Sequence, residues 1–568
     1  MDPAATLLAA ADAAFARGDL AAAEAGYRSA IARFGARGEW LANLGAILIR
    51  GQRTADALPA LEAAAAALPD NAAVLAMQGY ARLESGHRAD AISALLRALA
   101  RDPQRLDAWN NLGRARAAGG DFAAAAAAWE RALAISPRYT PALSNWCDAL
   151  IARGDADAAR DLAGRFAAAA PDDAGAWFKY GYALMLGTDL DAARAALDRV
   201  ASIDPRFPLV HHDLGTIALW QNRIDDADRH FRAELDRDPH HADARFGLAS
   251  ALLKRRRCDE GWRELEARVD TGHGRTTGLP PTVPAWDGSP LAGTLLVLAE
   301  EGLGDVLQFA RFVADAHERV SRVVLYCDGY WAPLSRLLAT ALGVDAVVDR
   351  SSGSLAIAAH ARIMSLPRIL GQGTRAVLPR GAYLTPPAAD VARWAGRLRA
   401  HPDFRVGLCW GGNPRVELPH AARIDERRSI GLVHLAPLAE IPGVQFVSLQ
   451  KGGSPDRELA SALRLVDWSD EFTDYADTAA LMANLDLVLT VDTSIVHCAG
   501  AIGRPVWMLD RFDNCWRWGT DATNPGWYET LRVFRQPAIG EWTPVVDAAA
   551  HALAPLAQAY LAARIAGG

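Results

Sequence analysis

Hydrophobic and small positions in the first half of the chain recur with a period of 34 residues. Prolines stand at Pro69, Pro103, Pro137, Pro171, Pro205 and Pro239. Glycines keep a second phase at Gly45, Gly79, Gly113, Gly181 and Gly215, and alanines a third at Ala57, Ala91, Ala125, Ala159, Ala193 and Ala227. Four positions after an alanine comes a large residue, at Leu61, Leu95, Trp129, Leu197 and Phe231. The pattern predicts a stacked repeat array of about seven to eight units across 4–270, with atypical first and last units. It departs at Cys147 and Ala249, where glycine is expected. Beyond Asp270 the period stops in a stretch rich in Gly, Pro and Thr. Short apolar runs then alternate with helical stretches: Thr294–Ala299, Arg322–Cys327, Arg405–Trp410, Val444–Gln450, Asp486–Val491 and Pro505–Leu509. Such continuous runs predict parallel strands buried on both faces, and a Pro-rich break at Thr385-Pro386-Pro387 divides them into two βα halves.

The 34-residue pattern resembles the tetratricopeptide repeat (TPR) family, whose unit is a helix–turn–helix. Glycine and alanine are small where two helices approach. The large residue fills the gap to the next unit, and the proline ends the second helix because it cannot continue the ladder. Arrays of this kind present a long surface to a protein segment. Asn43, Asn110, Asn111, Asn145, Lys179 and His211 lie on the first-helix faces as candidate contacts, since each Asn offers both donor and acceptor to an extended peptide. The pairs His211-His212 and His240-His241 read as surface residues, with no partner at metal-ligand spacing.

Composition narrows the class. With 568 residues, 51% hydrophobic and 22% charged, the chain is a folded protein of two or more domains. A net charge of -7 gives no footprint for nucleic acid. Six cysteines are scattered singly, which fits a reducing cytoplasm. The N-terminus lacks the basic segment of a signal peptide, and no apolar run reaches the ~20 residues of a membrane helix.

Candidate chemistry lies where predicted strands give way to helices. Glu300-Glu301-Gly302-Leu303-Gly304-Asp305 follows the first strand and opens a helix, where glycines let a ligand approach the backbone. Asp492-Thr493-Ser494, with His497 one turn later, offers free amides and hydroxyls suited to a diphosphate, although the same residue types cap helices. Trp410-Gly411-Gly412-Asn413, Arg428-Ser429 and Lys451 follow other strand ends, the ligand-binding edge of open α/β sheets. Cys515-Trp516-Arg517-Trp518 with Trp527-Tyr528 reads equally as core or as a stacking wall.

Together EEGLGDVLQFARF (300–312), CWGGNP (409–414), SLQKG (448–452) and DTSIVHCAGAIGRPVW (492–507) resemble TPR-containing bacterial glycosyltransferases. Their catalytic half is similar to the heptosyltransferase group (family nine), and the overall plan is similar to the protein O-GlcNAc transferases. The family usually has Glu-Gln before the first glycine; here Glu300-Glu301 leaves open which acidic residue acts.

The resemblance implies an α + α/β chain: an all-α TPR superhelix over 1–270, a linker over 271–290, and a GT-B domain of two Rossmann-like halves. The acceptor half would span 291–385 and the donor half 386–568. Asp305 would be the general base. Gly302, Gly304, Trp410, Asn413, Arg428, Ser429, Lys451, Asp492, Thr493, Ser494 and His497 would bind the donor. The expected activity is inverting transfer from a nucleotide sugar to a Ser/Thr hydroxyl of a protein held by the repeats, such as flagellin or an adhesin. No cofactor is expected, and no metal, since the catalytic half lacks Asp-x-Asp. ADP-heptose, a UDP-hexose and a CMP-linked acidic sugar remain open as donors. A glycan or lipopolysaccharide acceptor is one alternative, and a TPR scaffold with an inactive transferase half is another. Repeat arrays often pair, so a homo-oligomer is compatible.

Overall fold

The computed structural model describes residues 3–187, 189–272, 283–341, 344–349, 352, 355–413, 419–452 and 457–567. The chain divides into two units, Met1–Phe207 and Pro208–Gly568. Among the described residues the first unit is helix–turn–helix throughout: α1 (Pro3–Ala16) with α2 (Leu20–Phe34), α3 (Gly38–Arg50) with α4 (Thr54–Ala67), and α5 (Ala72–Glu84) with α6 (Arg88–Arg101). There follow α7 (Leu106–Ala117) with α8 (Phe122–Ile135), α9 (Thr140–Ala152) with α10 (Ala156–Ala169), and α11 (Ala174–Leu186) with α12 (Leu190–Ile203). The second unit opens with two further pairs, α13 (Val210–Trp220) with α14 (Ile224–Arg237) and α15 (Ala242–Lys254) with α16 (Cys258–Glu264).

The residues of the period do the packing expected of them. A Cβ added at Gly113 would lie 2.5 Å from the Trp129 ring, and one at Gly45 would lie 2.4 Å from Leu61. Each of these glycines faces the large residue sixteen positions on (61 − 45, 129 − 113). Cys147 breaks the glycine phase, and its counterpart sixteen on is the small Ala163; both are fully buried in one cluster. The volume lost on one helix is therefore regained on the other. Asp19, Asp121, Asp155 and Asp189 open second helices by accepting the amide three residues on at 3.1–3.3 Å. Each such cap is worth about 1 kcal/mol.

Two parallel sheets follow. In the first, β1 (Leu291–Leu298), β2 (Val320–Tyr326), β3 (Ala346–Val348) and β4 (Ala359–Arg362) run in the order β3-β2-β1-β4. Its helices are α17 (Leu303–Phe309), α18 (Arg311–His317), α19 (Ser335–Ala341) and α20 (Leu366–Ile369). After α21 (Ala388–Leu398), the second sheet has β5 (Phe404–Cys409), β6 (Val444–Ser448), β7 (Leu487–Val491), β8 (Val506–Asp510) and β9 (Leu531–Arg535), ordered β6-β5-β7-β8-β9. Helices α22 (Pro419–Arg428), α23 (Arg457–Ala462), α24 (Tyr475–Met482), α25 (Ser494–Ala501) and α26 (Thr543–Gly567) complete it.

All six predicted runs are strands; β3, β4 and β9 were not legible. β3 and β4 are only three and four residues long, and β4 and β9 are broken by Arg362, Arg532 and Arg535, so none reads as a continuous apolar run. The end of the expected linker is part of the first sheet's edge: His360 N donates to Pro284 O at 2.9 Å and Trp286 N to His360 O at 2.7 Å. Residues 273–282 of that linker lie outside the described residues. The six cysteines are unpaired, five of them buried. Among the described residues no helix is long and apolar enough to cross a membrane.

Candidate functional site

The turn from β1 into α17 and the turn from β7 into α25 meet. A Cβ on Gly304 would lie 2.8 Å from His497 Cδ2 and 3.2 Å from the Ser494 Cα, so only glycine lets the two helices come this close. One sheet thereby delivers Asp305 and the other delivers Asp492, Thr493, Ser494 and His497 to the same place.

Asp305 closes the first turn of α17: its Oδ2 accepts the Gly302 amide at 2.8 Å. Its Oδ1 is ion-paired with Arg517. Arg517 also donates from Nε to Gln308 Oε1 at 2.8 Å and from Nη1 to Cys515 Sγ at 3.0 Å. The next residue, Trp518, stacks on the His497 ring with centroids 5.3 Å apart and donates from Nε1 to Asp492 Oδ1 at 3.0 Å. His497 Nδ1 shares a 3.0 Å hydrogen bond with the Tyr528 hydroxyl. Burial, reinforced by the Arg517 charge, holds the imidazole well below its ordinary pKa, so it is neutral at pH 7.

The three acidic residues of the first turn separate cleanly. Glu300 is fully buried and accepts two bonds from Arg268, at 2.7 and 3.1 Å, and one from the Met364 amide at 2.9 Å. Glu301 has φ +56°, and its carbonyl accepts from Trp331 Nε1. Asp305 carries its carboxylate to the meeting point of the two turns.

The other expected donor residues divide. Thr493 caps α25, its Oγ1 accepting the Ile495 amide at 3.3 Å, and the Ser494 hydroxyl is bonded to that of Tyr475. Arg428 is tied to Asp425 at 2.8 Å and points Nη1 at Asp492 O, 3.5 Å away. Ser429 Oγ accepts the Gly412 amide at 3.0 Å, while the Trp410 and Gly411 amides donate to Gln450 Oε1 at 3.2 and 2.9 Å. Asn413 is exposed at the end of that turn, and Pro414 lies outside the described residues. Lys451 is exposed and donates to Phe472 O at 2.9 Å. Trp516, Trp518, Trp527 and Tyr528 are buried, so the aromatic segment is core with one face given to His497.

The repeat residues expected to meet an acceptor also make contacts within the array. Asn110 and Asn111 are buried, and Asn145 Nδ2 donates to Asn110 Oδ1 at 2.9 Å, joining α9 to α7. Asn43 donates to the Tyr27 hydroxyl at 2.8 Å, and Lys179 is ion-paired with Asp148. His211, in the second unit, stacks on His230 with centroids 5.4 Å apart. An Asn inside a helix stack is held there because an unmet amide would be costly; its type alone does not tell inside from outside.

Sequence reasoning missed what holds the Arg517 loop. Arg256, itself at φ +62°, donates to Arg517 O at 3.2 Å and Pro525 O at 2.6 Å. Lys254 Nζ donates to Asn514 O at 3.0 Å and Asn222 Oδ1 at 2.6 Å, and Asn222 donates to Phe512 O at 2.6 Å. The last two repeat pairs thus clamp the segment that faces Asp305. The signal was the basic run Lys254-Arg-Arg-Arg257 at the end of α15, which no period explains.

Burial draws the Lys254 ammonium down to about 8. In the unfolded chain the value is about 10.4, so between these values the unfolded chain binds more protons, and stability rises with pH through that window. Relative to Lys254→Met, the wild type is expected to gain about 2.4 kcal/mol from pH 8 to 10.4, read as the pH dependence of the difference in unfolding midpoints. A difference that stays flat across the window would mean that burial does not lower the Lys254 pKa as described.

Four segments, 8–72, 76–140, 146–206 and 212–268, match the tetratricopeptide repeat family model, each covering two helix pairs. Protein FlbA of Caulobacter vibrioides is 28% identical over 343 residues, 54% of this chain and 54% of that protein, so the match spans about half the length of each. A tetratricopeptide repeat protein from Parabacteroides merdae is 17% identical with a TM-score of 0.36, covering 44% of this chain and 98% of that one. MamA from Desulfovibrio magneticus is 20% identical with a TM-score of 0.28, covering 30% of this chain and 96% of that one. The helix pairs that precede the sheets are tetratricopeptide repeats, modules that mediate protein interaction.

Proposed function

We propose that the chain is an inverting glycosyltransferase of the GT-B plan, acting in the cytoplasm without a metal on a hydroxyl of a protein that the repeats recruit. The observation that carries this reading is the meeting of two strand-to-helix turns, one from each parallel sheet, at Gly304 and His497. One turn brings a carboxylate, Asp305; the other brings the amides of an eight-residue helix, α25, which favour an anion. In this reading the acceptor oxygen attacks the anomeric carbon and loses its proton to Asp305. The bond from that carbon to the donor phosphate breaks with its electron pair on the phosphate oxygen. The α25 amides and protein cations such as Arg428 take the charge. Neutral His497 suits a hydrogen-bonding role toward the donor rather than a charged one.

Thermal denaturation of the full chain in EDTA, against free nucleotides and nucleotide sugars, tests the reading. A ligand at 100 times its dissociation constant is expected to add about 2.7 kcal/mol to apparent stability, and His497→Ala to abolish the shift. If no nucleotide shifts the wild type, with or without Mg²⁺ or Mn²⁺, the chain is better read as a repeat scaffold whose second half has another role.

A further inference from the structure

We propose that Arg517 is the cation that receives the donor's diphosphate, and that it does so by leaving Asp305, so that donor binding frees the carboxylate for the acceptor hydroxyl. The inference rests on the transferase reading above and names the group that couples its two half-sites.

As the site stands, Asp305 is not available as a base. One oxygen is used to cap α17 and the other is held by the Arg517 guanidinium, so an incoming proton must displace a charged partner. Of the cations nominated from sequence, Lys451 donates to the Phe472 carbonyl, and Arg428 pairs with Asp425 and reaches Asp492 O only at 3.5 Å. Arg517 sits between the two half-sites. Its side chain is 13% exposed and lies over the Trp516 ring at 4.3 Å, and the adjoining Trp518 reaches Asp492, the residue before the cap of α25.

A second observation points to an absent acceptor at this place. Gln308 is fully buried and gives its Oε1 to Arg517, yet among the described residues its Nε2 has no hydrogen-bond partner. A buried donor left unmet is costly, and an oxyanion beside Arg517 would meet it. A diphosphate presents more charge than one carboxylate and fits the guanidinium fork bidentately, so exchange of Asp305 for diphosphate is favourable. The loop itself need not move, because Arg256 and Lys254 grip its backbone; only the side chain turns.

The test is a double-mutant cycle read by calorimetric titration of the full chain, in EDTA, with ADP, UDP and inorganic pyrophosphate. Arg517→Gln is expected to weaken diphosphate binding about tenfold or more. Asp305→Asn is expected to tighten it several-fold when Arg517 is present, and the double variant to bind like Arg517→Gln alone. Should Arg517→Gln fail to fold, Arg517→Lys keeps the charge without the fork and is expected to lose part of the affinity while preserving the coupling. Equal tightening by Asp305→Asn in both backgrounds would indicate through-space repulsion only and overturn the exchange. Wild-type affinity in Arg517→Gln would overturn it too, and in both cases the transferase reading stands. No binding of any of the three ligands by the wild type would overturn the exchange, and the nucleotide panel above then decides the transferase reading.

Discussion

Asp305→Ala is expected to lower turnover of a matched nucleotide-sugar donor by about 10²–10⁴ while the chain stays folded. In barrier terms that is about 2.7–5.5 kcal/mol. The structural cost is smaller: one capping bond to the Gly302 amide and one ion pair whose side chains are 19% and 13% exposed. Arg517 would keep Gln308 and Cys515 as partners. Asp305→Asn separates the two effects, since an amide oxygen can still accept the Gly302 N–H but cannot take a proton at neutral pH. Both variants should therefore fall in activity alike and differ only in stability. Near-wild-type turnover by either would remove Asp305 from the role of base.

Arg268→Ala is expected to destabilise the second unit by about 3–5 kcal/mol, the largest effect on stability predicted for a single side chain here. Glu300 has no exposed surface, and Arg268, 2% exposed, supplies two of the hydrogen bonds that compensate its charge. Arg268 also donates to Ser365 at 2.8 Å, so one guanidinium ties the segment after α16 to the end of β1 and to the start of α20. Removing it leaves a carboxylate buried with only the Met364 amide. Replacing both partners, as in Arg268→Met with Glu300→Met, should recover most of the loss because no charge is then stranded. The measurement is hydrogen-exchange protection of β1 and of residues 363–366, which report on this unit directly. Unchanged protection in Arg268→Ala would mean that the pair is not buried as described. The pair gives Glu300 a role in packing the turn that follows β1.

Particular elements show how far the linear pattern reaches. The glycine at 113 and the tryptophan at 129 belong to neighbouring helices sixteen residues apart, so their complementarity is written in one short stretch of chain and repeats with it. The six apolar runs are legible as strands for a similar reason: β7 and β8 are buried at every position and β5 over its last four, so these strands are built mostly of apolar residues. β4 and β9 carry arginines within their length, which breaks that signal. At the site, the turns at 302–305 and 492–497 could be singled out because glycines, hydroxyls and acids collect at strand ends.

What only the tertiary structure decided is which of those groups meet. Arg517 reaches Asp305 across 212 residues and Lys254 reaches Asn514 across 260, and no local period relates such positions. The same holds for the asparagines of the repeats: a peptide-binding amide and a packed amide are the same residue type, and Asn145 is joined to Asn110 because α9 lies beside α7. Short-range spacing set the helices and strands by itself, since neighbours in the chain are neighbours in the element. The charge pairs, which depend on where distant strand ends are brought, were set by how the elements pack.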